Sequence, residues 1–68
     1  MKLIVNGKEV DKETDITVEA LLGQTLKTDT REGIAVAVNG EVISKGSWGK
    51  RRLEAGDRVE IIRAVQGG

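Results

Sequence analysis

Ile34-Ala35-Val36-Ala37-Val38-Asn39-Gly40-Glu41-Val42-Ile43 reads as a β-hairpin, and that reading decides the fold. The first five residues are rich in β-branched side chains and alternate large with small, as a pleated strand does. Asn39-Gly40 suits the two consecutive positive φ angles of a tight hairpin turn. The small Ala35 and Ala37 imply that something lies close to their face. Pattern alone leaves open whether that is a helix or a binding partner. The same signature recurs at the N-terminus, where Met1, Leu3 and Val5 alternate with Lys2 and Ile4 and Asn6-Gly7 turns the chain into Lys8 to about Lys12. Only Val10 is apolar in that second strand, which suits an edge, because charge there discourages pairing with other chains.

Between the hairpins, Thr17 offers a hydroxyl to cap a helix and Glu19 places negative charge in its first turn. Val18, Leu21, Leu22 and Leu26 then recur at one-face helical spacing, so a helix is predicted from Thr17 to near Lys27. Gly23 interrupts it at a cost of about 1 kcal/mol relative to alanine, unless it permits close approach to the sheet. The polar stretch from Thr28 to Gly33 is a surface connection. After the second hairpin come Trp48, expected to plug the open end of the sheet, and the turn Glu54-Ala55-Gly56-Asp57. The final strand is Val59-Glu60-Ile61-Ile62-Arg63-Ala64-Val65. The order ββαββ predicts an α+β fold with one helix on one face of a mixed sheet, which is the order of the ubiquitin-like β-grasp architecture with its last strand central. On that fold Val59 and Ile61 face the helix, and Ile62 and Ala64 face the open side as candidates for partner docking.

Composition narrows the chemistry. Sixty-eight residues with no cysteine and no histidine make a single small domain without disulfides, the commonest metal ligand or the commonest general base. Eleven basic and eleven acidic residues cancel, which disfavours non-specific binding to nucleic acid or membrane. No apolar run approaches a membrane span, and Met1 to Asn6 is too short for a signal peptide, so a soluble, cytoplasmic protein, monomeric alone, is expected. The segment Gly46-Ser47-Trp48-Gly49-Lys50-Arg51 fails as a phosphate loop, because Ser44 stands where the first glycine belongs and Arg51 where a hydroxyl should meet Mg²⁺. Lys50-Arg51-Arg52 reads as a solvated loop, and the pairs Glu9 with Asp11 and Asp57 with Glu60 lack the burial that acid catalysis needs. No catalytic residue, metal ligand or stably bound cofactor is expected.

The chain's last residues remain. With 9 glycines in 68 residues, chance puts glycine at both final positions only about 2% of the time. A carboxylate on so slim a tail can enter a narrow channel where a side chain would collide. Residues 1–65 are thus expected to form the domain and 66–68 a flexible diglycine tail. From Ala64 to Gly68 an extended chain spans about 16 to 18 Å, enough to reach a partner's interior.

The run Ile34 to Ile43, the sole Trp48, Leu53-Glu54-Ala55-Gly56-Asp57-Arg58-Val59-Glu60-Ile61-Ile62 and the ending Ala64-Val65-Gln66-Gly67-Gly68 together resemble the ThiS family of sulfur carrier proteins of thiamin biosynthesis. The resemblance covers the whole chain, though Ala20 stands where many relatives carry a capping-box glutamate. It implies a non-enzymatic co-substrate whose Gly68 carboxylate is adenylated with ATP by a partner similar to the ThiF adenylyltransferase. A persulfide donor, a cysteine desulfurase or sulfurtransferase, then leaves a thiocarboxylate at Gly68 that supplies sulfur to a synthase resembling ThiG. Gly67, Gln66 and Val65 would guide the tail. The alternatives are a carrier of the molybdopterin-synthase type, a ubiquitin-like modifier joined to lysines, and a passive β-grasp interaction module.

Overall fold

The computed structural model describes residues 1–26 and 31–63. Its elements are β1 (Lys2–Val5), β2 (Lys8–Asp11), α1 (Val18–Thr25), β3 (Ile34–Val38), β4 (Glu41–Ile43) and β5 (Arg58–Arg63), with a 3₁₀ turn at Lys45–Ser47. Both hairpins close as the Asn-Gly pairs dictate. Asn6 and Gly7 have φ of 51° and 81°, Asn39 and Gly40 of 52° and 84°, and two-residue loops set Val5 opposite Lys8 and Val38 opposite Glu41. Positive φ at both central residues matches the right-handed twist of the flanking strands.

The strands form one five-stranded sheet in the order β2-β1-β5-β3-β4. The last strand therefore lies at the centre, parallel to β1 through Ile4↔Arg58 and Val5↔Val59 and antiparallel to β3 from Ile34↔Arg63 to Val38↔Val59. This is the β-grasp arrangement expected from the element order. β5 starts one residue earlier than the sequence suggested, and residues 64 and 65 of the expected strand lie outside the described residues.

One face of the sheet meets α1 in a core of Leu3, Val5, Ile16, Val18, Leu21, Leu22, Val36, Val38, Ile43, Trp48, Leu53 and Val59. The question left open at β3 is thereby answered: Val36 and Val38 are buried on the helix side, while Ala35 is exposed and Ala37 half-buried on the other. The larger, branched side chains fill the volume under the helix, so the alanines fall on the open face by the two-residue alternation of the strand.

At the start of α1, Thr17 Oγ1 accepts the Ala20 amide at 3.1 Å. The Val18 and Glu19 amides donate to the carbonyls of Arg51 and Trp48, each at 3.0 Å. The loop after β4 is therefore the second half of the helix cap, which satisfies donors that a lone helix leaves orphaned. Trp48, only 3% exposed, holds that loop down by donating Nε1 to the Ile43 carbonyl at 3.0 Å. The helix ends at Thr25, short of the Lys27 expected; Leu26 is already extended at φ −93°, ψ 139°, where it rests against the core. Gly23 lies exposed, and a β-carbon there would meet nothing nearer than Arg31 Nη2 at 3.7 Å, so close approach to the sheet is not the reason for this glycine.

Candidate functional site

The groups expected to work or to guide the tail, Gly68, Gly67, Gln66 and Val65, together with the docking candidate Ala64, lie outside the described residues. The structure places what they spring from. β5 is flanked on both sides, and its final residue, Arg63, is still in register with Ile34 of β3.

β5's start is fixed by the turn that precedes it. Asp57 Oδ2 accepts the Glu54 amide at 2.8 Å, and its Oδ1 accepts Asn39 Nδ2 at 3.0 Å. Asn39 in turn accepts the Arg58 amide on Oδ1 at 3.0 Å. The sequence Leu53-Glu54-Ala55-Gly56-Asp57 is thus more than a turn: its aspartate locks the second hairpin to the central strand. Farther along, Asn6 reaches β5 from the other side, accepting from the Ile61 amide at 2.8 Å and donating to the Ile61 carbonyl at 3.3 Å. Sequence reading saw both asparagines only as turn residues. The available signal was asparagine rather than glycine or aspartate at both first turn positions, since only a carboxamide offers a donor and an acceptor together.

Ile62, the docking candidate, lies exposed on the open face, and a second apolar residue lies there with it. Ile62 is 54% exposed and Val42 75%, and they are the exposed large apolar residues among those described. Ile62 lies opposite Ala35, and Ala37 opposite Val42, so an apolar strip crosses three strands near the end of β5, bordered by the exposed Glu60. Val42 was not anticipated, although the register of the Asn39-Gly40 hairpin already sets it opposite Ala37.

The remaining candidates do not converge. Arg51 lies 3.9 Å from Glu41, Lys45 Nζ stands 5.9 Å from the centre of the Trp48 ring, and Lys50 and Arg52 are exposed. Glu9, Asp11 and Glu60 are exposed and Asp57 half-buried. The Glu13 carboxyl is held below its ordinary value first by a backbone hydrogen bond and then by the Gln24 side chain, at a fully exposed position. Among the described residues no group of three or more acidic side chains comes together in a way that could hold a metal ion, and no helix is long and apolar enough to cross a membrane.

The profile of the ThiS family matches residues 3–68. This chain belongs to the ThiS family. The crystal structure of a thiamine biosynthesis protein (ThiS) from Geobacter metallireducens superposes with a TM-score of 0.81 at 34% identity, covering all of both chains. The solution structure of a thiamine biosynthesis protein from that organism gives 0.79 at 34% identity, covering all of this chain and 88% of the other. A thiazole synthase of Paramagnetospirillum magneticum is 41% identical over 68 residues. The ThiS-type chain described here spans 20% of the length of that curated relative.

Proposed function

We propose that this chain is a sulfur carrier for thiazole formation in thiamin biosynthesis, acting as a protein co-substrate rather than as an enzyme. The observation that carries the reading is that the ThiS match runs through residue 68 and so includes Gly67-Gly68. An α-carboxylate is anionic at neutral pH and resists nucleophiles, so it needs activation. A ThiF-like partner joins the Gly68 carboxylate to the α-phosphate of ATP with loss of pyrophosphate. The terminal sulfur of a protein persulfide then attacks the carbonyl carbon and expels AMP, and cleavage of the resulting S–S bond by a thiol leaves the thiocarboxylate. A ThiG-like synthase consumes that sulfur. A polypeptide named thiazole synthase that carries a segment 41% identical to this chain supports such a partner.

Within this reading the described body is a handle. The Ile62 and Val42 strip docks on the partner, Ala64 is a further docking candidate, and Val65, Gln66 and Gly67 feed Gly68 into the channel. Reconstitution with ATP, a ThiF-like enzyme and a persulfide source tests the proposal by intact mass. The wild-type chain gains the increment of sulfur replacing oxygen. Gly67→Ala, or deletion of Gly68, forms no thiocarboxylate and unfolds at the same denaturant concentration. Conjugates to lysine instead of the sulfur increment would make the chain a modifier, and an unchanged yield from either variant would refute the tail's role.

A further inference from the structure

β1 stops pairing with β5 after Val5↔Val59, because the chain reverses at Asn6-Gly7 into β2. Beyond that point the β1-side edge of β5 would have unpaired backbone groups. Asn6 supplies what the strand no longer can. Its amide donates to the Val59 carbonyl at 2.9 Å, and its carboxamide then takes both backbone groups of Ile61, Oδ1 accepting at 2.8 Å and Nδ2 donating at 3.3 Å. The side chain stands in for the peptide group that one more residue of β1 would have offered.

We propose that Asn6 is a positioning residue for the tail: its carboxamide tethers Ile61 on the β1 side, so that the last residues of β5 leave the sheet in one register. This rests on the sulfur-carrier reading. Past Ile61, β5 is paired through Ala35↔Ile62 and Ile34↔Arg63 on its β3 side. Without the tether that end of the strand frays, and an activating enzyme must order it before the carboxylate can meet ATP. Ordering is a binding cost, since the geometry around the reacting atoms is the same once the tail is seated. A weakened tether therefore raises KM for the carrier and leaves kcat alone.

The fold contains its own control. Asn39 has the same turn position and a φ of 52°, and its carboxamide also bonds β5, at Arg58, the end remote from the tail. Glycine accepts positive φ at either site, so Asn6→Gly and Asn39→Gly each keep the turn and delete the carboxamide alone. Adenylation is measured as ATP–pyrophosphate exchange by an adenylating enzyme of the class proposed above, with amide hydrogen exchange recorded on the free carrier. In Asn6→Gly the Ile61 amide loses its acceptor and exchanges fast, and KM rises about five- to tenfold with kcat within about twofold. Asn6→Asp falls between, because it keeps an acceptor for the Ile61 amide but sets an oxygen against the Ile61 carbonyl. Asn39→Gly loses comparable stability and keeps the wild-type KM. An unchanged KM in Asn6→Gly, an equal rise in Asn39→Gly, or an Ile61 amide that stays protected would each overturn the proposal. A wild-type chain inert in the exchange assay would instead overturn the carrier reading beneath it.

Discussion

Replacing Ile62 separates docking from folding, and its size can be worked from exposure. Burying an isoleucine side chain completely stabilises by about 1.5 to 3 kcal/mol. Ile62 is 54% exposed in the free chain, so about half of that, roughly 0.8 to 1.6 kcal/mol, remains to be gained against a partner. Ile62→Ala keeps the β-carbon and so forfeits the lower part of the range, weakening the complex about four- to eightfold. Ile62→Asp also strands a carboxylate in the interface and costs more, at least about thirtyfold. Folding should hardly notice either change. The side chain faces away from the core, opposite Ala35 of the neighbouring strand, so unfolding free energy falls by about 1 kcal/mol or less. Calorimetric titration of the carrier into a ThiF-like enzyme, beside denaturant unfolding, reads both quantities. Wild-type affinity in Ile62→Asp would refute the docking surface, and a stability loss in that variant as large as its affinity loss would refute the assignment of Ile62 to the open face.

Val42→Ala, on the same strip, should weaken that complex about threefold, and in combination with Ile62→Ala the two losses should add within about 0.5 kcal/mol. Trp48→Phe removes the donor to the Ile43 carbonyl and shrinks a buried ring, so thermal unfolding should show a loss of about 2 to 4 kcal/mol. Gly23→Ala, at an exposed helical position with room for a β-carbon, should raise stability by about 0.5 to 1 kcal/mol. The protein has no histidine, so its denaturant midpoint should be flat between about pH 6 and 7. Glu13 titrates below its ordinary value in the folded chain, so its contribution is present above the unfolded carboxyl's pKa and is lost as pH falls through the lower, folded one. Because that carboxylate is fully exposed, Glu13→Gln should leave the acid limb of the curve almost where it was.

Local chemistry wrote much of this molecule into its sequence. Both Asn-Gly turns, the alternation of Leu3 with Val5 and of Val36 with Val38, and the Thr17 cap each depend on neighbours within a few residues, and all were legible. So was the candidate tail, because a diglycine ending after an apolar strand needs no tertiary context to be noticed, and the ThiS resemblance rested on motifs in order along the chain. The helix end was less legible. Leu26 continues the helical spacing, yet it reaches the core from an extended backbone, a choice made by packing rather than by periodicity.

What the sequence by itself determined is which residues form strands and which turns join them, since propensity, alternation and turn chemistry act over short spans. Only the tertiary structure decided which side of β3 is covered, because alternation defines two faces but the helix selects one. It likewise decided that Val42 joins Ile62 on the uncovered face and that the loop after β4 caps the helix through Arg51 and Trp48. Asn6 and Asn39 show the reason most plainly: a carboxamide becomes a strand's missing partner only when the fold carries β5 between the two hairpins, 55 residues after Asn6 in the case of Ile61.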